Sequence, residues 1–322
     1  MLVRWLTRLA SLKLTLVILI LLGFGIIISY KSEVRTTWEL VVPLALFAIN
    51  LSCAVITRPV FRRQKPLLIF HLALITLILL VGAGRLSYLN GELELAEGEE
   101  FSGSLTKSES GPLHWWRLDK FSFVNDGFTI DYDIGVKRGK TVNKVHWTDE
   151  AGVVHAEEIG DHHPLVLHGY RFYTSFNKGF APIFLWLPKN GPPTRGSINL
   201  PGYPINLYRQ ALEWTPPGSS QRLWTMLQFD EVILDPAKPS QFRLPKIHKL
   251  VLRSGNERWE MQPGDRHEFK DGTLVYEGLR SWMGYTVFSD WTILWMLATC
   301  VVAVLSLAWH FWQKFAAKPW KR

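Results

Sequence analysis

Four apolar runs, Leu14–Ser29, Leu40–Ile56, Leu67–Ala83 and Trp291–Trp312, constrain this chain more than anything else in it. A helix needs about 20 apolar residues, within a range of about 17–25, to cross the hydrocarbon of a bilayer. Backbone amides and carbonyls find no partners in lipid, so runs of this length are expected to cross as helices. Leu12 and a snorkelling Lys13 lengthen the first run, and Trp38 and Glu39 lengthen the second. The expected organisation is three spans within residues 1–85, at about 12–29, 38–57 and 66–84, then a large domain over 86–290. A fourth span with a short basic tail fills 291–322.

Charge sets the expected orientation. Arg4, Arg8 and Lys13 precede the first span, Arg58, Arg62, Arg63 and Lys65 separate the second from the third, and Lys314, Lys318, Lys321 and Arg322 follow the fourth. No Asp or Glu lies in these segments, whereas Lys31, Glu33, Arg35 and Glu39 cancel in the loop between spans one and two. The positive-inside pattern therefore predicts both termini in the cytoplasm and the large domain outside it. The first span, ending Ile27-Ile28-Ser29-Tyr30 without a small-x-small cleavage site, is expected to be an uncleaved signal anchor. The three basic segments hold eleven Lys and Arg, while Arg85–Asp290 is slightly acidic, so the formal charge of +8 reflects topology and lipid contact. A nucleic-acid surface is not supported.

The segment 86–290 reads as all-β. Phe121–Val124 and Phe128–Tyr132 flank Asn125-Asp126-Gly127, the sign of a strand, a tight turn and a strand. Val142–Trp147 and Val153–Ile159 repeat the arrangement, as do Lys249–Arg253 with Arg258–Met261, and Arg266–Phe269 with Thr273–Tyr276. The expected fold is an antiparallel sandwich or open barrel inserted between helices three and four. Trp115, Trp116, Trp186, Trp214, Trp224, Trp259 and Trp282 supply either core and interfacial anchors or an apolar cleft for a flat ligand. Trp282, Tyr285, Phe288 and Trp291 are expected to form an aromatic belt before the last span.

Chemistry-bearing groups are few. The two cysteines, Cys53 and Cys300, both fall in spans, so the external domain has neither a disulfide nor a thiol relay. No HExxH, zinc spacing, Walker loop or GxSxG elbow is present, and no acid/base pair stands out. A self-contained hydrolase is not supported. His71 is different. It lies inside the third apolar run, and no other ionisable residue occurs between Lys65 and Arg85. An intramembrane imidazole is either a packing residue that hydrogen-bonds a neighbouring helix or a ligand, and the residues leave both open. His310 reads as an interfacial anchor, within reach of His71 in depth. In Asp161-His162-His163-Pro164 the adjacent histidines would face opposite ways on a strand and are poor partners for one metal.

Three passages together resemble the ResB/CcsB (Ccs1) family of System II cytochrome c biogenesis, in a compact form. They are the basic start Leu9–Leu16, the third span Pro66–Gly84 with Arg85 and Leu95–Glu99, and His163-Pro164-Leu165 followed by Gly169–Phe176. The last is similar to a family segment written NHPL…GYRFYQSSY, with His162 in place of Asn and Thr174 in place of Gln. Ser289-Asp290-Trp291 stands where the family usually has Asp-Pro-Gly. The resemblance implies a multi-pass subunit of the bacterial inner membrane with its β domain in the periplasm. It further implies work with a CcsA/ResC-type partner that moves haem b outward and attaches it to apocytochrome c, with thiol-reducing proteins acting indirectly. His71 occupies the place of an intramembrane haem axial ligand, and His163 matches a second, lesser family position. The chain would be part of a holocytochrome c synthase complex with no catalytic residue of its own. A haem-free scaffold, its β domain holding another envelope protein, is the competing reading. A transporter acting alone is disfavoured by four spans without internal repeats.

Overall fold

A computed structural model describes residues 2–31, 37–206 and 209–316. Glu33 and Arg35 of the first loop, and Lys318, Lys321 and Arg322 of the tail, lie outside the described residues. The chain divides into two compact units, Met1–Asn90 with Glu109–Trp115 and Ser289–Arg322, and Gly91–Ser108 with Trp116–Phe288.

The first unit is helical. Its elements are α1 (Leu2–Leu9), α2 (Leu12–Lys31), α3 (Trp38–Thr57), α4 (Pro59–Arg63), α5 (Lys65–Ser87) and α6 (Thr292–Ala316). Of these, α2, α3, α5 and α6 are long and apolar enough to cross a membrane. Their outward faces are rows of Leu, Ile, Val and Phe, which only lipid or a partner can cover. Contacts within the unit use small and polar residues, as expected where lipid removes the hydrophobic drive between helices. Gly25 lets α2 meet the backbone of Glu39, and Gly84 of α5 lies against Thr292 and Asp290. Buried Asn50 of α3 donates to the Leu9 carbonyl at 2.5 Å and accepts from the Thr15 hydroxyl at 2.7 Å. Asp290 caps α6, accepting from the Thr292 amide at 2.9 Å and from its hydroxyl at 2.7 Å.

The second unit carries the sheets, with strands numbered in chain order. One sheet holds β1 (Leu89–Ala96), β3 (Lys107–Ser110), β7 (Leu165–Leu167), β8 (Tyr170–Pro188) and β16 (Gly272–Ser289) in the order β3-β1-β16-β8-β7. In the same sheet β9 (Thr194–Ser197) joins β8, and β15 (Arg266–Phe269) joins β16. A second sheet runs β12 (Ser240–Gln241), β4 (Phe123–Asp133), β5 (Lys137–Thr148) and β6 (Val154–Ile159), with β2 (Glu100–Phe101) beside β4. A third is β10 (Ala211–Trp214), β11 (Leu223–Gln228), β13 (Lys249–Ser254) and β14 (Glu257–Met261), in that order. The expected class, four spanning-length helices with an inserted antiparallel all-β domain, is the observed one.

Two local expectations fail. Asn125-Asp126-Gly127 is not a turn. It is a bulge inside the continuous strand β4, with Gly127 at φ +103°, and both flanks pair with β5. The signal misleads because Asn125 is buried and hydrogen-bonded inward, to Leu95 and Asn143. Nor do Trp282 and Tyr285 form an interfacial belt. Both are buried in β16, where the Trp282 indole donates to the Leu200 carbonyl at 2.9 Å and the Tyr285 hydroxyl donates to Asn143 at 2.8 Å. The remaining three hairpins, β5–β6, β13–β14 and β15–β16, pair in the expected places.

Candidate functional site

In the helical unit, Pro66 opens α5 within its first two positions, where its missing N–H costs no hydrogen bond. His71 follows about one and a half turns later, roughly 9 Å along the axis from Lys65. Its Nδ1 lies 2.8 Å from the carbonyl of Leu67 one turn back. A carbonyl only accepts, so Nδ1 carries the hydrogen and Nε2 presents its lone pair. Among the described residues Nε2 meets no hydrogen-bond partner. Phe61 of α4 meets the ring edge-on with centroids 4.5 Å apart, and Phe70 does so at 5.3 Å. The ring is thus held in place by a carbonyl and two phenyl edges, and it is partly buried on the helix surface. A carbonyl accepting from the other ring nitrogen is the usual means of fixing the tautomer of a metal-binding imidazole. His310 of α6 contacts Phe311, and no contact to His71 is found among the described residues.

In the β unit, His162 and His163 sit in the bend between β6 and β7 rather than on a strand. His163 is 74 % exposed, with Nε2 3.3 Å from Glu157. The following passage is built for packing. His168 and Gly169, both at positive φ, make the two-residue turn from β7 to β8, with Leu167 facing Tyr170. Tyr170 and Phe172 point inward, where Phe172 meets Phe101, Phe121 and Phe123. Thr174, next on the same face, donates to Asp161 Oδ1 at 2.7 Å. The same oxygen accepts from Arg138 at 2.9 Å. The motif therefore stitches a buried polar network into the sheet junction, which spacing alone did not indicate.

The family comparison falls on both places. Residues 61–201 match the ResB-like family, an interval that begins at Phe61, against the ring of His71, and runs past Asp161 and Thr174. This segment of the chain is ResB-like. No curated protein matches it.

The sequence alone does not mark Phe61 and the Leu67 carbonyl as supports of His71. An i−4 carbonyl is present for any helical residue, so nothing in the sequence marks it. The aromatic-rich β domain also resolves into two uses. Trp186 and Trp282 are core, whereas Trp115 and Trp116 are exposed. An open groove of about 1080 Å³ is lined in part by Tyr203, Met226, Phe229, Ile247 and His248. Burial pushes the His248 imidazole below its ordinary range, and its Nε2 shares a hydrogen bond of 2.7 Å with the Tyr276 hydroxyl.

Proposed function

We propose that this chain is a membrane subunit of a System II cytochrome c biogenesis complex and that His71 is an axial ligand to haem in transit. The observation that carries the reading is the free Nε2 lone pair of an imidazole whose Nδ1 hydrogen is committed to Leu67. Haem is the cargo here. One imidazole fills one axial position, so a second subunit of the CcsA/ResC type supplies the other. The partly buried ring, bordered by Phe61 and Phe70, offers an apolar edge against which a flat macrocycle can lie. Both termini are proposed to be cytoplasmic and the β domain periplasmic, on the charge pattern of the loops. That orientation puts His71 nearer the cytoplasmic side, where outgoing haem arrives, and leaves the β domain to hold apocytochrome c.

The test is a haem spectrum of the chain co-purified with its partner. Wild type is expected to show a Soret band of a ligated haem. His71→Ala is expected to lose most of it and to lower cytochrome c maturation by about tenfold or more, the loss typical of a removed metal ligand or its support. Imidazole added to the medium should restore part of both. Equal haem content and equal maturation in the variant would overturn the ligand role and leave the haem-free scaffold as the function.

A further inference from the structure

Among the described residues, two buried donors without acceptors meet a buried ammonium in the β unit. Tyr132 of β4 and Arg138 of β5 face each other in register. Among the described residues, the hydroxyl of Tyr132 and the Nε of Arg138 are buried without a hydrogen-bond partner. Lys178 of β8 is 4 % exposed, its Nζ 5.4 Å from the centre of the Tyr132 ring. Among the described residues its one acceptor is the Phe176 carbonyl at 3.3 Å, while Arg138 donates to the preceding carbonyl, Ser175, also at 3.3 Å. Two cations are thus hydrogen-bonded to successive carbonyls of one strand.

We propose that Lys178, Arg138 and Tyr132 form a binding site for the carboxylate of a small organic anion.

Charge, donors and access all support it. The charges acting on Lys178 are Arg138 and Asp161, one positive and one negative. Asp161 cannot neutralise both cations, and its Oδ1 is already taken by Arg138 and Thr174. The cluster therefore holds one uncompensated positive charge in a place where burial makes such a charge expensive. Desolvation and then Arg138 bring the Lys178 ammonium down to about 8. A monoanion cancels the excess, while a dianion such as phosphate would overshoot it. Lys178 has two further N–H groups, which together with Arg138 Nε and the Tyr132 hydroxyl match the roughly four lone-pair sites of a carboxylate. Buried donors without acceptors are rare in native proteins and signal an absent partner. The ring of Phe176, 73 % exposed, covers the Arg138 guanidinium at 4.3 Å and can rotate aside without breaking the sheet.

Two sources could present this carboxylate: a free monocarboxylic acid, or the propionate arm of a porphyrin, the second of which rests on the haem reading above. The full chain in detergent micelles is titrated calorimetrically with sodium propionate against sodium chloride at the same ionic strength. A second arm compares metal-free protoporphyrin IX with its dimethyl ester. Without iron, that arm does not involve ligation by His71, so its failure is distinct from failure of the haem-ligand proposal. Binding of propionate, or preference for the free-acid porphyrin over the ester, supports the site and identifies the source. Affinity should fall about tenfold in Lys178→Gln and about threefold in Tyr132→Phe, the loss expected for one charged and one neutral hydrogen bond. Tyr132→Phe removes a single unbonded hydroxyl, so it tests the site even if Lys178→Gln folds poorly. No binding to wild type, an equal response to chloride, or unchanged affinity in both variants overturns the proposal.

Discussion

Lys178 is a buried ammonium that disfavours the folded state at neutral pH. Its folded value of about 8 lies below the ordinary 10.5, so below pH 8 both folded and unfolded chains carry the proton and the full penalty applies. Between about pH 8 and 10.5 the unfolded chain binds more protons, and stability rises with pH, by an amount of order 3 kcal/mol. The thermal midpoint of wild type should therefore climb through that window relative to Lys178→Met. Below pH 8 the Met variant should be the more stable, since an apolar residue of similar size replaces an uncompensated charge. A second buried network behaves oppositely. Asn143 donates to Asn125 at 2.7 Å and to the Gly127 carbonyl at 2.8 Å and accepts from Tyr285 at 2.8 Å, so Asn143→Ala strands three polar groups. We expect a loss of about 3 kcal/mol or more, measured by denaturant unfolding. His71 was legible in the sequence because a lone imidazole breaks a long apolar run. The Arg138–Lys178 cluster was not, because its members come from separate strands and meet only through sheet register.

Elements were legible where strands are closed by a turn signal that is a turn, and illegible where a strand runs through such a signal or buries consecutive residues. The hairpins β5–β6, β13–β14 and β15–β16 follow alternation closed by Gly- or Asn-containing turns. β16 escaped because its second half, Ser281–Tyr285, is buried without a break, so Trp282 and Tyr285 read as membrane-interface residues. The end of α5 shows a device that no helix-stop signal announces. The Leu113 amide donates to the Leu86 carbonyl at 2.8 Å, the His114 ring to the Ser87 carbonyl at 2.7 Å, and the Gly111 amide to the Tyr88 carbonyl at 3.0 Å. A loop distant in sequence thus caps the last carbonyls of a membrane helix. A Cβ at Gly111 would overlap the backbone of Leu86. Gly111→Val should lower the stability of the purified protein by about 1–3 kcal/mol, the usual range for overpacking, while Gly152→Val, with open space around it, costs less through backbone strain alone. Equal losses in the two variants would show that the close approach at Gly111 contributes nothing.

At the scale of the whole molecule, the orientation proposed from charge gives a direct labelling test. The native thiols, Cys53 and Cys300, lie within α3 and α6. Ile247→Cys, at a position 82 % exposed in the β unit, should react with a membrane-impermeant maleimide in intact spheroplasts. Arg62→Cys, in the basic helix α4 before α5, should react only after permeabilisation. The reverse pattern would invert the proposed topology.

The placement of β1 beside β16 in the sheet also bears on how the chain is made. The first strand to leave the ribosome cannot complete its pairing until nearly the last has been synthesised, with the whole β unit threaded between them. Pairings of such separation are slow to close. Until β16 arrives, one edge of β1 carries unpaired amides and carbonyls open to any other extended chain. A ribosome stalled short of β16 therefore yields a three-span intermediate that is anchored but sticky. Such a species is a natural client for chaperones and for the proteases that clear incomplete membrane proteins.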